Sequence, residues 1–397
     1  MSRNKPIHIM HMITTLNIGG AEKALFNLLS SMDKSNFLNC VICLTDVGYV
    51  GQEMMAKGIP VHSLNMPNGR LTFSGMAALW RLLSAIRPAI LQTWLYHSDL
   101  LGLVFGKLIG IKNICWNIRC AYMKLEDYRV STKWVVKLCS ILSSVPEVVV
   151  TNSRKALQFH HDSGYRPKHW EIIPNGFDLN QFKPDEQTKA SFISELMQGS
   201  SFWKDKRETE IGKCEAPVFI GFIARFDPMK DHSTFFKAAS FLLKEVENVY
   251  FILAGKDITE KNKELIALIQ DNSRDKFFFL GERSDIPTIT AALDIASSVS
   301  HGEGFPNTIG EAMACGVPCV VTDVGDSAMI VGDTGRVVEA RNPEALAAAW
   351  KELIDLGEEK RRELGKAARE RIKEHFELSQ IVKQYERLYM SLVTKGE

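Results

Sequence analysis

The sequence predicts an α/β chain made of two doubly wound, Rossmann-like domains that face each other across a cleft. Three observations carry this expectation. Short apolar runs alternate with stretches of helical spacing, which implies parallel sheets covered by helices on both faces. The chain has 397 residues, more than one such unit needs. The alternation also pauses at Glu171-Ile-Ile-Pro-Asn-Gly-Phe-Asp178, where Pro174, Asn175 and Gly176 read as a connector, and resumes at Pro217. The expected units are residues 1–175, residues 176–375, and a last helix within 376–397 that packs back on the first unit.

Taken in order, Ile7–Thr14 reads as the first strand, Asn17–Ala21 as a loop and Glu22–Met32 as a helix. Strands follow near Asn39–Leu44, Ala89–Thr93, Lys112–Trp116 and Glu147–Thr151. A helix over Met76–Ile86 stops before Pro88, because proline disfavours helical backbone in the residue preceding it. Residues 185–216 are polar and charged and suit a surface helix followed by a loop. The second unit places strands near Pro217–Ala224, Val249–Gly255, Lys276–Gly281, Asp294–Ser300 and Val317–Thr322. A helix then starts at Pro343, with Asn342 as its cap and proline in its first turn. Two more helical patterns, Glu358–His375 and Ser379–Leu392, complete the chain.

The formal net charge of +1 argues against nucleic acid as a partner. It conceals a split: residues 1–175 hold 19 basic and 10 acidic residues, and the remainder holds 29 and 37. Such a split suits a molecule of which one half meets an anionic surface, and it suits equally two joined domains of different pI. The eight cysteines sit mostly in apolar runs and read as reduced core thiols of a cytoplasmic protein. Cys40 and Cys43 are three apart on a strand, so they point to opposite faces and make a poor metal knuckle. The N-terminus lacks the pattern of a secretory leader, and no apolar run is long enough to span a bilayer.

Three constellations carry chemistry. The first is Ser300-His-Gly-Glu303-Gly-Phe-Pro-Asn-Thr-Ile-Gly-Glu311, a strand end, a glycine-flanked loop and a helix start near Pro306. A helix start presents unsatisfied amides and a positive dipole end, so it suits a phosphate. Glu303 at its mouth and Glu311 inside the helix can bracket a bound group. The second is Gly221-Phe-Ile-Ala-Arg225-Phe-Asp-Pro-Met-Lys230, which delivers two cations to the edge of a sheet, where they suit a diphosphate leaving group. Either cation alone would read as an ordinary surface residue. The third, Gly19-Gly20, allows close backbone approach to a phosphate or sugar but lacks dinucleotide-binding spacing. No D-x-D pair is present, so no metal ligands for a diphosphate are visible, and no metal or other cofactor is expected.

Together with Ile173-Pro-Asn-Gly-Phe-Asp178, Gly316-Val-Pro318 and Thr322-Asp-Val-Gly325, these segments resemble the retaining nucleotide-sugar glycosyltransferases of family 4, with the GT-B fold, of the bacterial surface-polysaccharide type. The resemblance covers nearly the whole chain. It implies that Arg225 and Lys230 hold the donor diphosphate and stabilise the departing nucleotide, and that Glu303 lies near the donor sugar. The backbone of Gly304, Phe305, Pro306 and Asn307 would meet sugar hydroxyls, and that of Thr308 and Ile309 the phosphate. Glu311 would bond the ribose, the backbone near Arg283 would meet the base, and Gly19 and Gly20 would approach the donor. The first domain would bind a glycan or lipid-linked acceptor, with Trp94, Tyr96, His97 and Arg119 on the acceptor side. His97 is the candidate base. Many family members place a histidine after the next strand, where this chain has Trp116-Asn-Ile-Arg119.

The expected reaction is transfer from a UDP-sugar with retention and without metal. A sugar-nucleotide 2-epimerase or a non-catalytic nucleotide-binding protein are the alternatives. The segment 101–150 holds seven basic residues against three acidic ones, interleaved with Trp134, Val135, Val136, Leu138, Ile141 and Leu142. It reads as an ordinary domain helix or as a helix lying on the inner face of a membrane.

Overall fold

The computed structural model describes residues 5–67, 70–120, 129–198, 216–269 and 273–394. The chain divides into two compact units, Met1–Gly176 together with Leu378–Glu397, and Phe177–Glu377.

The first unit begins β1 (Ile7–Ile13), α1 (Gly20–Ser31), β2 (Phe37–Cys43), α2 (Gly48–Ala56), β3 (Val61–Ser63) and α3 (Phe73–Ile86). It continues β4 (Ile90–Trp94), α4 (Tyr96–Ile109), β5 (Asn113–Ile118), α5 (Val130–Leu142), β6 (Val148–Thr151), α6 (Arg154–Asp162) and β7 (Trp170–Ile172). Its strands form one seven-stranded parallel sheet in the order β3-β2-β1-β4-β5-β6-β7. Side chains alternate across a strand, and β1 shows this: Ile9 and Ile13 enter the core under α1 and α2, whereas Met10 and Met12 enter the core under α3, α4 and α5. Cys40 and Cys43 divide between the same two cores, so their sulfurs lie on opposite faces of the sheet. The seven described cysteines are free thiols, and Cys214 lies outside the described residues.

The second unit runs α7 (Glu186–Gln198), β8 (Val218–Ile223), α8 (His232–Leu242), β9 (Val249–Ala254), α9 (Lys263–Ile266), β10 (Phe277–Phe279) and α10 (Ile286–Ala291). There follow β11 (Ile295–Ser298), α11 (Asn307–Ala314), β12 (Cys319–Thr322), α12 (Ser327–Val331), β13 (Arg336–Val338), α13 (Pro343–Asp355) and α14 (Gly357–His375). The six strands form a parallel sheet ordered β10-β9-β8-β11-β12-β13. Strand order reverses between β8 and β11 here and between β1 and β4 in the first unit. In doubly wound sheets such switch points open the crevice where ligands bind, at the carboxyl ends of the strands.

The last helix, α15 (Leu378–Thr394), belongs to the first unit. Its Ile381, Val382, Tyr385, Tyr389 and Leu392 repeat at helical spacing and are buried in the core under α1. Tyr389 donates to Gln92 Oε1 at 3.2 Å, and Asn117 Nδ2 donates to the Tyr385 hydroxyl at 3.0 Å.

Candidate functional site

In the second unit, β8 ends at Ile223 and hands the chain to Arg225, which is exposed at the carboxyl edge of the sheet. Asp227 organises the turn that follows. Its Oδ1 accepts from the Met229 amide at 2.9 Å, and its Oδ2 accepts from Arg225 Nε at 3.0 Å. Partial burial pushes the Asp227 carboxyl up, but the Met229 amide, Arg225 and Lys230 outweigh it and hold the group below its ordinary value. The turn carries Lys230 to Glu303, and the two form an ion pair with both side chains mostly buried. Ser300 Oγ donates to the same Glu303 oxygen at 2.7 Å. Backbone joins the loops as well, since the His301 amide donates to Met229 O at 3.0 Å. Arg225, Asp227, Lys230, Glu303 and Ser300 thus form one connected polar chain across the β8/β11 switch point.

Beside it α11 begins, with Pro306 in the capping position and no side chain closing the helix end. The amides of Thr308 and Ile309 are among those a helix start leaves without an intrahelical acceptor. Glu311 lies one turn inside and is buried. The Phe305 side chain turns inward and stacks near Phe177 at 6.3 Å, so only the backbone of this residue can meet a ligand. Gly325 supports the loop from the next strand end. Its φ is +55°, and a Cβ there would lie 2.5 Å from Gly304 O and 2.6 Å from Glu303 O, which explains why glycine is required. Arg283, after β10, is exposed and gives both Nε and an Nη to Asp285, a pairing that raises its pKa. Chemically, this edge offers two anchored cations and an open helix end, a combination that binds a phosphate group and stabilises negative charge forming on it.

In the first unit, Gly19 precedes α1 and Gly20 opens it. A Cβ on Gly19 would fall 2.3 Å from Glu22 Oε2, because the Glu22 side chain folds back over the turn. His97 is half-buried in the first turn of α4, and desolvation lowers its pKa, so the imidazole is neutral near pH 7. Arg119 follows β5. Its guanidinium donates to Asn117 Oδ1 at 3.3 Å, to the Tyr385 hydroxyl at 3.4 Å and to Asn175 Oδ1. It also lies 5.1 Å over the Trp94 ring. Burial lowers its pKa, and among the described residues no carboxylate lies within ion-pairing distance. Strands β1, β4 and β5 are neighbours, so Gly19, Gly20, His97 and Arg119 share one sheet edge.

Two acceptor-side expectations need correction. Trp94 is fully buried, with its indole N–H donating to His11 Nδ1 at 3.3 Å. Tyr96 is buried too, and its hydroxyl meets His160 Nε2 at 2.7 Å. Both rings are core residues, because the strand end and the first helical turn point them inward; neither can touch an acceptor. Sequence reasoning missed Asp227 and Ser300, which hold Arg225 and Glu303. The short D-x-M spacing after Arg225 was the available signal for the first. Asn175 and Tyr385 around Arg119 are distant in sequence and left none.

The family description "Glycosyl transferases group 1" matches residues 204–371, and "Glycosyltransferase Family 4" matches residues 18–181. The chain is 22% identical to the UDP-Gal:alpha-D-GlcNAc-diphosphoundecaprenol alpha-1,3-galactosyltransferase of Escherichia coli, over 99% of each chain. It is 29% identical to the N-acetyl-alpha-D-glucosaminyl L-malate synthase of Bacillus anthracis, over 56% of this chain and 58% of that one. Among solved structures, Anabaena Alr3699/HepE in complex with UDP superposes with a TM-score of 0.78 at 20% identity, covering 97% of this chain and all of that one. This last similarity carries the fold.

Proposed function

The chain belongs to the glycosyltransferases of the family 4 type with the GT-B fold, and from that premise we propose that it moves a sugar from UDP to a lipid-linked or other glycan acceptor with retention of configuration. The observation that carries the reading is the Lys230–Glu303 pair beside Arg225 at the open end of α11.

In this reading the donor diphosphate sits against the Thr308 and Ile309 amides, where the helix dipole favours its charge. Arg225 and Lys230 neutralise the charge that grows as the sugar–phosphate bond breaks, and they occupy the place a divalent ion would otherwise take. Because both cations are anchored beforehand, by Asp227 and Glu303, little reorganisation accompanies the step. Glu303 and the Gly304–Asn307 backbone orient the sugar, Glu311 bonds the ribose, and the backbone near Arg283 meets the base. In the first unit, neutral His97 positions or deprotonates the acceptor hydroxyl, and Arg119 offers a cation to a phosphate. The E. coli relative is named for a diphosphoundecaprenol-linked acceptor, which supports a lipid-linked substrate for this chain, and such a substrate would place it at the inner membrane face.

Calorimetric titration with UDP, GDP and ADP, with and without chelator, tests the donor assignment. Chelator-insensitive binding of UDP that Arg225→Ala weakens is expected. Failure of all three nucleotides to bind would sink it.

A further inference from the structure

Helices α3, α4 and α5 lie side by side over one core of the first unit, with Trp80 of α3 meeting Phe105 of α4 edge-on at 6.4 Å. Their inner sides are packed, yet their outer sides are not what a solvated surface normally shows. Phe73 is 90% exposed and Trp134 65% exposed, and Trp80, Val104, Leu108 and Ile141 are exposed as well. Of the 17 exposed large apolar side chains among the described residues, eight come from these three helices. Scattered single apolar residues need no explanation, but a concentration of this kind marks an interaction surface.

The charges on the same helices identify the partner. Arg81, Lys107, Lys133 and Lys137 lie on them, and Arg129 stands at the start of α5. The only carboxylate in the three helices, Asp99, is fully buried. Glu147, which lies 3.9 Å from Lys107, is at the rim, at the start of β6. Exposed aromatic and aliphatic residues interleaved with cations alone match an anionic lipid surface, which takes rings to the headgroup level and neutralises Lys and Arg. No helix among the described residues is long and apolar enough to cross a membrane.

We infer that the outer face of α3, α4 and α5 is the surface by which this protein docks on an anionic bilayer. The inference deepens the reading of a lipid-linked acceptor and rests on it for its purpose, while its geometry stands without it. Docking would hold the first unit on the membrane that contains such an acceptor.

Flotation of the full chain with vesicles of phosphatidylcholine, alone or mixed with phosphatidylglycerol, tests this without nucleotide. Binding to the mixed vesicles at low ionic strength, weakening as salt rises, is expected. Trp134→Glu with Ile141→Glu should lower the partition by about tenfold or more. Arg81→Gln and Lys137→Gln should each lower it about fivefold. All four positions avoid the core, so circular dichroism and thermal unfolding should match the parent. A folded parent that fails to float, or a double variant that floats as well as the parent, overturns the inference. So does a parent that elutes as a dimer which the double variant breaks, since the face would then join two copies. UDP titration of the same samples keeps the readings apart: lost nucleotide binding speaks against the donor site and leaves the flotation result standing.

Discussion

Lys230 and Glu303 neutralise one another in a largely buried setting, and that pairing makes their substitutions distinguishable. In the proposed donor site Lys230→Ala removes a donor to developing charge, so the transfer rate should fall about a hundredfold to a thousandfold, with weaker UDP binding. If the donor sits as proposed, Glu303→Gln removes a carboxylate beside the diphosphate and releases Lys230 to it. UDP affinity measured by calorimetry should then hold or rise while the steady-state rate falls about a hundredfold; parallel losses of both would refute the assigned roles. Elsewhere, His11, His160 and His232 are buried and desolvation holds each near a pKa of about 4, below the unfolded value of 6.5. The unfolded chain therefore binds more protons between those values, and stability is lost as pH falls through that window. Each histidine contributes a slope of up to about 1.4 kcal/mol per pH unit. Urea midpoints at pH 7 and pH 5.5 should show it. His11 and His160 have bonded rings, whereas neither His232 ring nitrogen has a hydrogen-bond partner among the described residues. His232→Leu should thus flatten the profile with little cost at neutral pH.

At the level of elements, the loop between β11 and α11 depends on its neighbour after β12. Gly325→Ala forces a left-handed residue to carry a Cβ into the carbonyls of Glu303 and Gly304. A loss of about 1–3 kcal/mol in thermal unfolding and a drop in UDP affinity are expected; an unchanged affinity would mean that the loop tolerates displacement. These elements differ in how well the sequence announced them. Apolar runs buried on both faces, such as Val249–Ala254, were plain. The short strands β3, β7 and β13 were not, because too few residues repeat to show a period, whereas the equally short β10 was announced by its unbroken run Phe277–Phe279. α3 begins at Phe73, a turn before its apolar pattern, because Thr72 Oγ1 accepts from the Gly75 amide at 3.1 Å. The site divides similarly. Cations and carboxylates close in sequence to a strand end, such as Arg225 and Glu303, were legible. Inward rotation of Trp94 and Tyr96 was not, since a strand end leaves facing to tertiary packing.

For the whole molecule, the proposed chemistry predicts a product with the donor's anomeric configuration, and activity that survives chelator. Proton NMR of the product and assays in chelator read these directly; an inverted anomer or full loss in chelator would replace the mechanism. The chain path has a further consequence, for synthesis on the ribosome. Residues 177–377 are complete in themselves, whereas the first unit lacks a wall until α15 arrives. Five side chains of that helix, at about 2 kcal/mol each, bury on the order of 10 kcal/mol of apolar contact. The half translated first is therefore the half that matures last. A chain truncated after residue 377 should be cut by protease within residues 1–176 and resist within 177–377, because the half made first is closed only by a helix made after the other half.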